Sequence, residues 1–334
     1  HRKEKPFTPN SQGKINSSRQ KLHTHKKLIS PHMTLTSFTL RPTQEDILRY
    51  RGGKLGISAV PGSGKTFTLS ALAAQLITSG ALNTDQDVLI VTLVNSAVDN
   101  FSARIGKMIE ARGLIPHLGY RVRTLHGLAH DIVREKPTLA GLDERFQIVD
   151  DRESEFIRKE AANAWLTTFP NHLDEYFSAD LDDSKRDWVR RQQLPDLAHS
   201  LAIAFIRSCK NLAITPEDLR QKLNNSPAPL PLAEMGWWIY DKYQQALRYR
   251  GAVDFDDLIA LAYKILQSDP EYLARLQYRF PYVLEDEAQD SSEIQENILR
   301  LLAGHGNWVR VGDPNQAIFE TFTTANPKLL KNFI

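Results

Sequence analysis

Residues 55–66 read Leu-Gly-Ile-Ser-Ala-Val-Pro-Gly-Ser-Gly-Lys-Thr, and no other stretch restricts the fold of the chain as much. An apolar run (Leu55, Ile57, Ala59, Val60) breaks into a loop of small residues, and helix-favouring sequence follows from Leu69 to Leu76. A strand, a glycine-rich loop and a helix in that order make a phosphate-binding loop. Gly62 and Gly64 permit backbone conformations closed to other residues, so successive N–H groups can turn inward around phosphate oxygens. The helix that follows adds its positive dipole end. Lys65 can reach the β- and γ-phosphates as a point charge, and the Thr66 hydroxyl can ligate Mg²⁺. Ala59 stands where the usual pattern has its first glycine. The stretch predicts a nucleoside triphosphate site.

The chain has 334 residues, 41% hydrophobic and 25% charged, which is ordinary globular composition with room for two domains. No apolar run approaches the ~20 residues of a membrane span. Cys209 is the only cysteine, which excludes an internal disulfide, gives no sign of secretion and fits a cytoplasmic protein. The net charge of +2 hides an asymmetry. Residues 1–32 hold eight Lys/Arg and one acid, net +7, leaving 34 bases and 39 acids, net −5, in the remainder. That first segment is rich in Ser, Asn, Gln and Pro, and reads as a disordered basic tail. It is either a nucleic-acid-binding arm or translated upstream sequence, since Met33 directly precedes the first sequence of folded character.

From there Pro42 and the acids after it suit the first turn of a helix that carries Gln44, whose amide offers the donor and acceptor needed to read an adenine edge. Val88–Leu93 reads as a second strand, with Asn95 as the cap of a helix bearing Ala97, Phe101, Ile105 and Met108 at helical spacing. Tyr120–Thr124 reads as a third strand, leading into Leu125-His126-Gly127. The alternation of strands and helices predicts a parallel sheet covered by helices, an α/β fold.

Residues 134–272 read differently: long, charged and mostly helical, without strand signals, and with Trp165, Phe169, Tyr176, Trp188, Trp237, Trp238 and Tyr243 as core anchors. They predict a helical insertion. Asp254-Phe255-Asp256-Asp257 reads as a helix start with acids at the positive dipole end. Strand character returns at Tyr282-Val283-Leu284, followed by Glu285-Asp286-Glu287-Ala288-Gln289-Asp290. An acid pair at a strand end, in a chain with a phosphate loop, has a specific use: Asp286 holds Mg²⁺ and Glu287 polarises the attacking water. A last strand at Trp308–Val311 runs into Gly312-Asp313-Pro314-Asn315-Gln316, where a glutamine can sense the γ-phosphate.

The order of these motifs resembles the N-terminal half of a UvrD/Rep-type DNA helicase across nearly all of residues 38–327. Leu40–Gln44 looks like the adenine-reading motif, and Ala59–Thr66 is similar to the family's own phosphate loop, which accounts for Ala59. Thr92–Ala97 and Thr124–His130 are similar to its two single-strand-binding motifs, and Asp254–Ile259 resembles a landmark ahead of the acid motif. Asp286–Asp290 and Val311–Gln316 complete the set.

The resemblance implies a RecA-like P-loop NTPase domain, residues 33–133 and 273–334, interrupted by a mainly helical insertion subdomain at 134–272. It implies movement 3′ to 5′ on single-stranded or partly duplex DNA, with ATP and Mg²⁺ as cofactors. Carried over, Gln44, Ala59, Val60, Pro61, Gly62, Ser63, Gly64, Lys65, Thr66 and Phe67 bind ATP, and Thr66 and Asp286 hold the metal. Glu287 is the general base, acting with Lys65 and Gln316, while Gln289 and Gln316 link the γ-phosphate to the DNA track. Thr92, Asn95, Thr124, His126 and Phe319 contact DNA. The sequence departs from the family pattern in three places. Leu93 replaces an aromatic, Phe319 and Thr321–Ala325 replace a run containing an arginine, and Glu285 replaces an apolar residue. The chain ends shortly after Gln316, so the expectation is a first motor half that hydrolyses ATP poorly until a second RecA-like domain, from a downstream segment or another chain, supplies its arginines. The alternative is a regulatory protein that binds ATP and nucleic acid without turnover.

Overall fold

Strand β2 (Val88–Thr92) lies inside the fold: every one of its residues is buried, and a strand covered on both faces reads as unbroken apolar sequence. In the computed structural model, which describes residues 40–178, 180–313 and 327–333, the chain divides into units at Arg41, and the second of them, Pro42–Ile334, holds the strands and helices of the fold. The tail at 1–32, Gln316 and Phe319 lie outside the described residues.

In chain order the elements of this unit begin with α1 (Pro42–Leu48), β1 (Lys54–Ser58), α2 (Lys65–Thr78), β2, α3 (Asn95–Glu110), β3 (Tyr120–Thr124) and α4 (Leu125–Glu135). Then come β4 (Gln147–Ile148), α5 (Asp151–Thr168), α6 (Asp183–Trp188), α7 (Leu194–Asn211), α8 (Pro216–Asn224), α9 (Pro231–Tyr249) and β5 (Ala252–Val253). The unit closes with α10 (Phe255–Ser268), α11 (Pro270–Arg279), β6 (Tyr282–Glu285), α12 (Glu293–Leu302), β7 (Trp308–Gly312) and α13 (Pro327–Phe333).

Among the described residues, five strands form one parallel sheet in the order β1-β7-β6-β2-β3. The period of two sorts their side chains. Val88, Ile90, Leu284, Val309 and Val311 meet α2 and α3 on one face. Leu89, Val91, Val283 and Trp308 meet α4, α10, α11 and α12 on the other. All five strands run the same way, so the turns after them gather at one edge of the sheet, where α/β proteins bind ligands.

Helices α5, α7, α8 and α9 bury their own cluster, built around Trp165, Ile206, Met235 and Tyr243 and closed by Val149 and Ala252. Three features here differ from the sequence expectation. A short parallel pair, β4 with β5, stands where the sequence carries no strand signal, because two residues have no periodicity. Phe169, Tyr176 and Trp188 are exposed at 38%, 52% and 56%, not core anchors: Phe169 follows the last turn of α5, Tyr176 sits on a 3₁₀ turn, and Trp188 lies on an exposed face where α6 continues through a π-helical turn, Val189–Gln193, into α7. Asn95 is the first residue of α3, and Val94 holds the cap position without a side-chain bond.

Candidate functional site

The glycine-rich loop leaves β1 and enters α2 through two left-handed residues, Gly62 (φ +71°) and Gly64 (φ +88°). Its foot is tied to β7 by Ala59 N–H donating to the Gly312 carbonyl (3.0 Å), and it closes on itself through Ser63 N–H to Val60 O (3.2 Å). Val60, Pro61 and Gly62 face solvent, while the Ser63 hydroxyl is buried with no partner among the described residues. Gln44 comes in from α1: its amide donates to Thr68 Oγ1 (2.9 Å), which donates to Gly64 O (3.0 Å). A Cβ on Gly64 would sit 3.1 Å from that amide nitrogen. Phe67 lies under the Arg104 guanidinium, 5.9 Å from its ring centre.

The acid motif faces this loop. Lys65 Nζ donates to Glu287 Oε2 at 2.6 Å. Glu287 itself holds a left-handed backbone (φ +52°), a conformation that costs a non-glycine residue energy and recurs at functional sites. Gln289 connects the motif to the next strand: its amide donates to Glu287 Oε2 (2.9 Å) and Asp290 Oδ2 (3.2 Å), and its oxygen accepts from Asp313 N–H (3.2 Å). Asp286 is buried, its N–H bonded to Val91 O (2.9 Å), and its Oδ1 has no partner among the described residues. Burial first, and Glu287 second, push its carboxyl up to about 6 against the opposing pull of Lys65. An orphaned carboxylate oxygen, a buried hydroxyl and a lysine around two left-handed glycines are donors and acceptors suited to a triphosphate with a divalent cation.

Along the same sheet edge lies a cavity of about 380 Å³. The turn after β2 lines it with Leu93 and Asn95, the start of α4 with Thr124 and His126, and the start of α10 with Asp254, Phe255 and Asp256. Helices α5 and α7 add Asp151, Ser154, Arg158 and Arg207. The His126 and Phe255 rings meet edge to face, 5.9 Å apart. Burial holds the His126 imidazole below its ordinary pKa, despite Asp256, Asp151 and Asp254 nearby. Thr124 caps α4, accepting from Gly127 N–H (3.1 Å). Thr92 is buried at the end of β2 and is not part of the lining. Phe255, Arg158 and Arg207 do not stand out as site residues in the sequence. Phe255 carries a signal, an aromatic at a helix start between acids, whereas Arg158 and Arg207 are ordinary arginines inside charged helices.

A family model described as the UvrD/REP helicase N-terminal domain matches residues 40–334. The chain is 29% identical over 283 residues to DNA helicase II of Salmonella typhimurium, covering 84% of this chain and 34% of that protein. It is 30% identical over 295 residues to the ATP-dependent DNA helicase PcrA of Leuconostoc citreum, covering 87% and 34%. With PcrA of Staphylococcus epidermidis it shares 27% over 277 residues, covering 83% and 33%. The chain thus spans about a third of the length of the curated relatives it matches.

Proposed function

The chain belongs to the UvrD/REP helicase N-terminal domain family, and from that premise we propose that it is the nucleotide-hydrolysing motor domain of an ATP-driven DNA helicase or translocase, with 3′-to-5′ travel as the resemblance implies. The observation that carries this reading is the contact between Lys65 and Glu287, a phosphate-loop lysine on the carboxylate that follows the buried Asp286. In this reading Lys65 and the loop N–H groups bind the β- and γ-phosphates, and Gln44 lies beside the loop to read adenine. Thr66 and Asp286 hold Mg²⁺, which when bound neutralises charge developing on the phosphates. Glu287 takes the proton of the attacking water. Gln289, bonded to Glu287 and to the Asp313 N–H, passes movement of that carboxylate to the end of β7.

The cavity supports a path for single-stranded DNA. Asn95, Thr124 and His126 offer polar contacts, Phe255 a stacking surface worth about 1–3 kcal/mol per base, and Arg158 and Arg207 cations for phosphates. The helices between β4 and β5 are an insertion whose neck is that strand pair, while α10 and α11 belong with the sheet they cover. An arginine from a second RecA-like domain, in cis or in trans, would raise turnover by about 10³–10⁵.

The test is ATP hydrolysis by the chain with and without single-stranded DNA, beside a Glu287→Gln control and fluorescent-nucleotide binding. Binding that depends on Lys65, with DNA-stimulated turnover abolished by the control, supports the motor. Binding without turnover, even when a second domain is added, turns the reading to a regulatory nucleotide- and DNA-binding protein, and no binding at all defeats it.

A further inference from the structure

The residue before the acid pair, Glu285, is an acid at the buried end of β6, only 1% exposed. Its partner is Arg310, fully buried on β7 and directly opposite it in the sheet register. Arg310 Nε donates to Glu285 Oε2 (2.7 Å), Nη2 to Glu285 Oε1 (3.3 Å) and Nη1 to Glu296 Oε2 of α12 (2.6 Å). Glu285 Oε1 also accepts from the Ser291 hydroxyl (2.8 Å). The guanidinium lies 4.8 Å from the Trp308 ring centre and 5.2 Å from that of Phe333 on α13.

Stability alone gives little reason for this network, because apolar residues of similar volume often serve a core as well as a buried ion cluster does. Its placement does give one. Glu285 and Ser291 are the two ends of the loop that carries Asp286, Glu287, Gln289 and Asp290, and their side chains are bonded to each other. Arg310 anchors that closed base to β7, and Asp313, three residues on, anchors the tip through Gln289. The loop is therefore held to one strand at two points. Catalytic and metal-binding groups need placement to about 0.5 Å, supplied by neighbours with locked geometry.

We propose that Arg310 is a positioning residue, holding the Asp286–Asp290 loop through Glu285 and Ser291 so that Asp286 and Glu287 stand where a metal–nucleotide complex requires them. The inference rests on the nucleotide-site reading. It also gives the acid at 285 a purpose, as the strand-borne handle by which β7 holds the loop.

The experiment compares the parent chain with the triple variant Glu285→Leu/Arg310→Met/Glu296→Leu, which removes the charges together and leaves none buried alone. A fluorescent ATP analogue is titrated in EDTA and then against Mg²⁺, alongside thermal unfolding. The expected result is a melting temperature at or above the parent's, unchanged affinity in EDTA, and a Mg²⁺ midpoint raised about 10-fold or more, the usual cost of losing a group behind a metal ligand. Ser291→Ala, which deletes one hydroxyl, covers the case of a triple variant that does not fold, and its midpoint should rise by a smaller factor. A parent-like Mg²⁺ midpoint in the folded triple variant, or in Ser291→Ala should the triple not fold, overturns the positioning role. A parent chain that binds no nucleotide overturns the site reading and this inference with it.

Discussion

Lys65 and Glu287, 222 residues apart in the chain, are joined by a 2.6 Å hydrogen bond at the sheet edge. The lysine side chain is 10% exposed and the carboxylate 36%, so the pair is half sheltered and its partners hold each other in place. A triphosphate offers the lysine a stronger set of acceptors and would release Glu287 toward water. The two residues should therefore separate in their effects. Lys65→Ala should weaken ATP binding by about 1.5–3 kcal/mol, the value of a hydrogen bond to a charged group, or roughly 10–100-fold. Glu287→Gln should bind ATP at least as well as the parent and lower turnover by about 10²–10⁴. Equilibrium binding and single-turnover hydrolysis read the two effects independently.

Gly312 is required by space. A Cβ there would lie 2.2 Å from Gln289 Oε1, 2.8 Å from Leu330 Cδ2 and 3.2 Å from the Ala288 backbone nitrogen. Gln289 is the bridge between Glu287 and the Asp313 N–H, so displacing it disturbs the site as well as the packing. Gly312→Ala should destabilise the fold by about 1–3 kcal/mol, as overpacking does, and lower turnover further than that loss explains. Denaturant unfolding, beside activity measured where the variant is fully folded, separates the two.

The glycine-rich loop and the acid motif stood out in the sequence because their residue patterns are local. Gly62 and Gly64 must be glycines to turn left-handed, and Lys65 must follow them, whatever the rest of the chain does. Strand β2 was legible because burial on both faces writes itself as nearly continuous apolar sequence, whereas β3, at the edge of the sheet, shows as the alternation Tyr-Arg-Val-Arg-Thr. What the sequence hid depends on strand order. Glu285 and Arg310 look like two unrelated charges 25 residues apart until β6 and β7 are neighbours in the sheet. Arg158 and Arg207 join the cavity only because α5 and α7 fold back over the starts of α4 and α10. Phe169, Tyr176 and Trp188 were misplaced because an aromatic residue suggests a core wherever it falls, and these three lie on exposed faces.

Cys209 lies on the buried side of α7, 6% exposed, and burial pushes its thiol up to about 11. The thiolate is the reacting form, so at pH 8 only about one molecule in 10³ carries it while the thiol stays buried. The native chain should resist alkylation by iodoacetamide or an aromatic disulfide, and modification should become stoichiometric in denaturant. The native reaction rate then reports opening of α7. Rapid labelling of folded protein, measured by mass spectrometry, would contradict the packing of this helix.

Lys210, beside Cys209 and equally buried, donates to Asp254 Oδ2 (2.6 Å) and lies 2.7 Å from Asp257 Oδ1, while Tyr243 OH donates to the same Asp254 oxygen (2.6 Å). The cluster joins α7 and α9 to the start of α10, the turn that carries Phe255 into the cavity. Burial alone would lower the lysine pKa, but Asp257 and Asp254 outweigh it and hold it above the ordinary 10.5, and burial with Asp254 raises Tyr243 as well. Both groups keep their proton longer folded than unfolded, so both contribute stability that is complete at neutral pH and fades as the unfolded chain begins to ionise near pH 10. The melting temperature should fall steeply from pH 9.5 to 11 in the parent. Lys210→Met leaves two buried carboxylates without their cation and should cost about 3–5 kcal/mol at pH 7. Those carboxylates then take up protons more readily in the folded state than in the unfolded, so the variant should regain more stability than the parent does as pH falls from 7 toward 5. Chemical denaturation of both proteins across that range checks the sign, and a variant with the parent's pH profile would show that Lys210 does not hold the pair.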